Sequence, residues 1–220
     1  MVAMEIPTPQ KLSEKKDIKA IIFDLDGVLV NMPEGHYEAL NRALGLFGAR
    51  IEEREHYDFF NGLPTRKKLE TLEKQNRLPL GLRDTINSIK QKYTKEIIPS
   101  YCTPDHSKNI LLKHLKQKGY LLACCSNSTR DTLHLMLQSA QLFDYFDLII
   151  GNDEVVNPKP HPEIYHTAMQ RFNVHPKECL IIEDSPHGIA AAQESGGIVR
   201  IVRNTEDVHL GLFEDLLINE

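Results

Sequence analysis

The sequence holds no surplus of basic residues. Its 26 Lys and Arg stand against 31 Asp and Glu, a formal net charge of −5. A nucleic-acid binder needs positive charge to neutralise phosphates, so that class is excluded. An anionic small molecule would need a metal ion or a few placed cations to offset the acidic background. Only four cysteines occur, Cys102, Cys124, Cys125 and Cys179, with no C-x-x-C pair and no zinc spacing. They are expected to be reduced, buried thiols of a cytoplasmic protein. None of the ten histidines forms an H-x-x-x-H pair, which excludes the usual helical histidine metal site. No apolar run is long enough to span a bilayer. Residues 1–17, rich in Lys, Glu and Pro, lack the apolar core of a signal peptide and are expected to form a loose tail.

What remains is an ordinary globular composition, 41% hydrophobic and 26% charged over 220 residues. That is enough for one domain, or one domain with a smaller insert, around a sizeable core. The most informative stretch is Ala20-Ile21-Ile22-Phe23-Asp24-Leu25-Asp26-Gly27. A short, continuous apolar run suits a strand buried on both faces, and ligands in open α/β sheets bind beyond the carboxyl ends of such strands. One residue separates Asp24 from Asp26, so an extended backbone points both carboxylates the same way. Two acids in one crevice repel unless a cation or a proton lies between them. Asp26-Gly27 between apolar runs is also a hairpin signal, so taken alone the stretch favours a site only weakly.

The rest of the chain decides between these readings. From Asn31 to Cys102 nothing resembles a strand. Leu40, Leu44 and Phe47 repeat at helical spacing, an acidic segment runs from Ile51 to Phe60, Pro64 opens a segment carrying Leu69, Leu72 and Leu78, and Leu82, Ile86, Ile89, Tyr93 and Ile97 form a stripe ending at Pro99. Residues 31–102 therefore read as an inserted all-helical unit. From Thr103 strands alternate with helices. Thr103-Pro104 reads as an N-cap followed by a first-turn proline, and Ser128-Thr129-Arg130-Asp131 as a near capping box. Strands are expected at Tyr120–Cys125, Leu148–Ile150, Leu180–Ile182 and Ile198–Val202, with helices opening at Pro162 and Ser185. Alternation of this kind means a doubly wound, parallel, five-stranded, Rossmann-like sheet. Parallel strands are not joined by tight turns, which removes the hairpin reading. The expected domains are a tail, 1–17, an α/β core, 18–30 with 103–220, and a helical cap, 31–102.

Polar residues then recur at the carboxyl ends of the strands: Asp24 and Asp26, Ser126-Asn127, Lys159 within Asn157-Pro158-Lys159-Pro160, and Glu183-Asp184. Each alone has an ordinary explanation as a helix cap or solvated loop residue. Together they mark a site.

These four motifs, in this order and spacing, resemble those of the haloacid dehalogenase superfamily, in the branch with a helical cap inserted after the first motif, which holds β-phosphoglucomutase and many small-molecule phosphatases. The resemblance covers about Lys19 to Val202. It implies that Asp24 is the nucleophile that takes a phosphoryl group and Asp26 the general acid and base. It also implies a Mg²⁺ ion held by Asp24, the backbone carbonyl of Asp26 and Asp184, with Glu183 a direct or water-mediated helper. Ser126, Asn127 and Lys159 would bind the phosphate. In the cap, Gly62 to Arg66 matches the specificity loop, with Thr65 where the mutase pattern has arginine and Arg66 next to it. Asn31-Met32 replaces the usual Asp-Ser or Asp-Thr, and His36 falls either on the hinge histidine of the mutase or simply on a helix face.

Dehalogenases and phosphonate-cleaving members lack a carboxylate at the Asp26 position, so Asp26 argues for phosphate esters. The expectation is a Mg²⁺-dependent phosphatase of a small phosphorylated metabolite, a sugar or polyol phosphate, with a phosphosugar mutase or a non-catalytic binding protein as alternatives. Its partner is the substrate alone, without nucleic acid or membrane. The chain is expected to be monomeric, with a homodimer as the alternative.

Overall fold

The computed structural model describes residues 17–217, so all but the last residue of the expected tail lies outside the described residues. Five strands form one sheet: β1 (Ala20–Phe23), β2 (Leu121–Cys125), β3 (Leu148–Ile150), β4 (Cys179–Glu183) and β5 (Ile198–Ile201). The order is β3-β2-β1-β4-β5, and every pairing is parallel. β1 is therefore central, with Phe23 level with Cys124 on one side and Ile182 on the other.

Period-2 alternation sorts the side chains of these strands between two cores. Ile21, Phe23, Leu122, Cys124, Leu180 and Ile182 pack on one face with α5 (His106–Gln117) and α6 (Arg130–Ser139). Ala20, Ile22, Ala123, Cys125 and Ile181 pack on the other with α7 (Glu163–Phe172) and α8 (Pro186–Glu194). Cys124 and Cys125, adjacent in sequence, thus face opposite sides, and all four cysteines are buried free thiols. A last short helix, α9 (Glu214–Leu217), adds Leu216 to the first core.

Between β1 and α5 every element is helical: α1 (Pro33–Gly45), α2 (Glu53–Glu55) running into a π-helical turn (His56–Phe60), α3 (Thr65–Lys74) and α4 (Arg83–Tyr101). They enclose their own apolar cluster, including Leu40, Leu44, Ile51, Phe60, Leu69, Leu72 and Ile86. Each such fully buried aliphatic or aromatic side chain contributes about 2 kcal/mol. The insert is not fully separate: Met32, Ala39, Ile97, Ile98 and Cys102 join the sheet core.

Helix boundaries differ from the sequence reading in four places. α4 does not stop at Pro99 but runs to Tyr101, because proline forfeits only one hydrogen bond near a helix end and Cys102 N–H still reaches Ile98 C=O at 2.8 Å. α5 starts after Asp105, not Thr103, since the Asp105 carboxylate accepts from Ser107 N–H at 2.8 Å and makes the stronger cap. At α6 no capping box forms: the Thr129 hydroxyl pairs with that of Thr132 at 2.9 Å instead. α7 begins at Glu163, with Pro162 as its N-cap. Among the described residues no helix is long and apolar enough to cross a membrane.

Candidate active site

The site begins where β1 ends. Asp24 N–H continues the ladder to Ile182 C=O at 3.0 Å, and then the chain coils tightly, with the N–H groups of Val28, Leu29 and Val30 all turned to Leu25 C=O. Gly27 makes this turn at φ +84°, and a Cβ there would collide with the Asp184 carboxylate. The turn thus brings Asp24, Asp26 and Asp184 together and does not return a strand, which disposes of the hairpin.

Asp24, Asp26, Ser126, Asn127, Lys159 and Asp184 from the sheet edge, and Gly62, Thr65 and Arg66 from the helical insert, line one cavity of about 600 Å³. Of the expected catalytic, substrate and metal residues, only Glu183 does not line it. Glu183 is completely buried, and its oxygens are taken: Oε1 accepts from Lys159 Nζ and from the Tyr165 hydroxyl, each at 2.6 Å, while Oε2 accepts from the N–H groups of Asp184 and Ser185 at 3.1 and 3.3 Å.

Lys159 sits between two carboxylates. Its Nζ donates to Asp24 Oδ1 at 2.7 Å, to Glu183 Oε1, and to Cys125 C=O at 2.8 Å, 4.8 Å from the centre of the Tyr165 ring. Burial lowers its pKa, but Asp24 and Glu183 outweigh that and raise it well above the usual lysine value. Burial pushes the Asp24 carboxyl well up, with Lys159 opposing and Glu183 and Asp184 adding to the rise. Asp184 is pushed up to about 7 by burial and by its neighbours Glu183 and Asp26.

A divalent cation fits this donor set. One carboxylate oxygen each from Asp24, Glu183 and Asp184 lies within 4.8 Å of the others, and buried oxygens of Asp184 and Asp26 have no hydrogen-bond partner. An all-oxygen, anionic cluster with orphaned lone pairs is the chemistry of a hard-cation site. The same cation would oppose both the burial and the charge crowding that drive the two aspartates up.

Asp26 is held from the insert. Its Oδ2 lies 3.0 Å from His36 Nε2, and His36 Nδ1 lies 3.3 Å from Lys90 Nζ. An ammonium can only donate, so Nδ1 is the acceptor and Nε2–H donates to Asp26. Burial and the Lys90 charge lower the His36 pKa, consistent with that neutral tautomer. His36 therefore faces the site and is not a bare helix-face residue.

Two expected ligands are placed differently from the sequence reading. The Asn127 amide is spent as a clamp: Nδ2 donates to Gly62 C=O at 2.8 Å and to Lys159 C=O at 3.1 Å, and Oδ1 accepts from Lys159 N–H at 3.0 Å. Both of its side-chain hydrogens are used, so it ties the insert and the lysine loop together. Arg66 reaches outward to Asp84 at 3.0 Å on the exposed rim. Ser126, by contrast, is buried, accepts from Ser128 N–H at 3.2 Å and keeps its O–H to donate.

Three residues escaped the sequence reading. Tyr165 carries no motif and reaches Glu183 only through the packing of α7. Lys90 follows Ile86 by four residues and so lies on the buried stripe of α4, a position where a lysine is out of place. Lys68 follows Thr65 by three on α3 and is also buried.

The parallel α/β sheet thus ends its central strands in carboxylates around a buried ammonium, with the helical insert lining the same cavity. The chain belongs to the haloacid dehalogenase-like hydrolases, whose family model matches residues 21–202. It is 30% identical over 187 residues to the phosphorylated carbohydrates phosphatase of Thermotoga maritima, covering 84% of each chain. It is 28% identical to the pyrophosphatase PpaX of Bacillus cereus, over 81% of this chain and 80% of the relative. In fold it is similar to the β-phosphoglucomutase of Clostridium difficile, with TM-score 0.78 and 24% identity over 90% of this chain and 96% of the other.

Proposed function

We propose that this enzyme is a Mg²⁺-dependent phosphatase acting through an aspartyl phosphate on Asp24, and that its substrate is a small sugar or polyol phosphate. The observation that carries this is the meeting of Asp24, Asp26, Asp184 and Lys159 in one cavity, with carboxylate oxygens left unpaired. The Thermotoga maritima relative, named for phosphorylated carbohydrates, supports the substrate class.

Asp24 attacks phosphorus, and the ester oxygen leaves. Two like charges at contact distance repel by about 4 kcal/mol at an effective dielectric near 20. Lys159, held protonated beside Asp24, offsets part of that repulsion, and the Ser126 hydroxyl donates to the phosphoryl oxygens. Asp24, Asp184 and the Asp26 carbonyl would hold Mg²⁺, which when bound supplies the remaining positive charge. Glu183 is placed to brace Lys159 and the Asp184 backbone. Asp26, oriented by His36, protonates the leaving oxygen and then takes a proton from the water that opens the aspartyl phosphate.

We take residues 31–102 as the cap over this site. Asn127 bonded to Gly62 is a latch between cap and core. Closure over the cavity would exclude bulk water and favour small substrates over phosphoproteins. We take the enzyme to act as a monomer, and its four buried free thiols suit the cytoplasm. Asp24→Asn, nearly isosteric but unable to form the acyl phosphate, should abolish Mg²⁺-dependent phosphate release while leaving the melting transition cooperative. Appreciable turnover by purified Asp24→Asn would remove Asp24 as nucleophile.

A further inference from the structure

The insert also meets the core where α4 packs against α6. Lys95 Nζ on α4 lies 3.6 Å from Asp131 on α6, and one turn back along α4 Gln91 Oε1 accepts from the Thr132 hydroxyl at 3.2 Å. Thr132 is 1% exposed, so its hydroxyl has to find partners within the protein. It has one proton, and that proton goes to Gln91. Its oxygen lies 2.9 Å from the Thr129 hydroxyl and can then only accept, so Thr129 is the donor. The chain of hydrogen bonds therefore has one direction, from Thr129 through Thr132 to Gln91.

Thr132 is buried away from the cavity, but both ends of this chain line it, Gln91 from the insert and Thr129 from the core. Each end has one kind of capacity left. The Gln91 oxygen is taken, while Nε2 has no partner among the described residues and keeps its hydrogens to donate. The Thr129 proton is spent, and its oxygen keeps lone pairs to accept. Asn87, one turn earlier on α4, also lines the cavity, but its amide has no hydrogen bond among the described residues. Of these two carboxamides, Gln91 is thus the one oriented before substrate arrives, which spares the rotamer entropy of fixing it on binding. A fixed donor beside a fixed acceptor suits a neutral hydroxyl group, which accepts from Nε2–H and donates to Oγ. An anion would satisfy the donor but would face the Thr129 lone pairs.

We propose that Gln91, with Thr129 as the matching acceptor, binds a hydroxyl of the substrate's leaving group, and that Thr132 is the positioning residue that aims the Gln91 amide. This rests on the phosphatase reading and names the residues by which a polyol or sugar phosphate is told from a plain alkyl phosphate. Gln91 belongs to the insert and Thr132 to the core, so the amide is aimed only while the two are seated together.

The test compares esters matched in chain length: glycerol 3-phosphate with propyl phosphate, erythritol 4-phosphate with butyl phosphate, and sorbitol 6-phosphate with hexyl phosphate. Wild type should show the higher kcat/KM for the hydroxylated member in at least one pair. Gln91→Met, similar in shape but without the amide, should shrink that preference about 3- to 10-fold, chiefly through KM, the size of losing one neutral hydrogen bond formed equally in ground and transition states. Thr132→Val should shrink it in the same direction, and Thr132→Ser, which keeps the hydroxyl, should restore it. In the Gln91→Met background Thr132→Val should shrink it no further, because Thr132 acts only through Gln91. A merely structural Thr132 would instead lower both members of a pair alike, whichever residue stands at 91. If wild type shows no preference for the hydroxylated member in any pair, or Gln91→Met leaves the preference unchanged, the hydroxyl contact is refuted and the phosphatase reading stands. If the two losses simply add, Thr132 is not the residue that aims Gln91. If no phosphate ester is hydrolysed with Mg²⁺, aryl phosphates included, the phosphatase reading fails and this inference falls with it.

Discussion

His56 is the most informative position for stability. It lies in the π-helical turn, fully buried, between the rings of Tyr37 and Tyr57, each centred 5.2 Å away, and neither ring nitrogen has a hydrogen-bond partner. Burial first, then the Lys68 charge, hold its pKa at about 3, with the Pro33 carbonyl opposing. A histidine depressed from 6.5 stays neutral in the fold but takes up a proton once unfolded, so its effect is absent at pH 8 and destabilises progressively below pH 6.5. At pH 5 the unfolded imidazole is almost wholly protonated and the buried one is not, which withdraws about 2 kcal/mol. For a chain of this size that is a fall of about 4–8 °C in Tm. His56→Phe and His56→Leu remove the titration, and any packing change they bring is independent of pH. Melting curves from pH 8 to pH 5 should therefore show wild type losing that much more Tm than either variant. His36, Lys68 and Lys90 titrate in all three proteins, so the difference isolates position 56. Parallel Tm–pH curves for wild type and both variants would refute the reasoning.

Lys159→Met should cost about 3–5 kcal/mol at pH 7 in urea unfolding, because it leaves the buried Asp24 and Glu183 carboxyl groups without their shared cation; wild-type stability would refute that pairing as a source of stability. Asp184→Asn should raise the Mg²⁺ concentration for half-maximal activity about tenfold or more, through loss of one anionic oxygen ligand; an unmoved midpoint contradicts that role. Thr65→Ala should change the ratio of activities between phosphate esters more than Arg66→Ala, since Arg66 is turned to Asp84 on the rim; equal or reversed effects would put Arg66 back among the substrate contacts.

The sheet was legible because its strands are continuous apolar runs. Ile21-Ile22-Phe23, Ala123-Cys124-Cys125 and Leu180-Ile181-Ile182 are buried on both faces, and that demand is written in composition alone. The acids that follow them, Asp24, Asp26 and Asp184, were legible for the same reason. A parallel strand places what comes next at the edge where ligands bind, so one-dimensional position implies three-dimensional location. Helix ends were less legible, because capping is a local competition between near-equal hydrogen-bonding groups, and Asp105 prevailed over Thr103 by geometry the sequence does not carry.

What only the tertiary structure decided was how polar side chains are spent. Asn127 has the amide of a phosphate ligand, yet the distances assign it to Gly62 and Lys159, 65 and 32 residues away. Glu183 adjoins Asp184 in sequence, but alternation along β4 turns it inward to Lys159 and Tyr165 while Asp184 faces the cavity. Lys68 looks like a solvated lysine of any surface helix, and Lys90, though its spacing puts it on the apolar stripe of α4, names no partner until packing closes over both. Sequence determines which chemistry is available and at which strand end. Partnership and burial depend on contacts between residues far apart along the chain, and those exist only once the helices have packed on the sheet and the insert on the core.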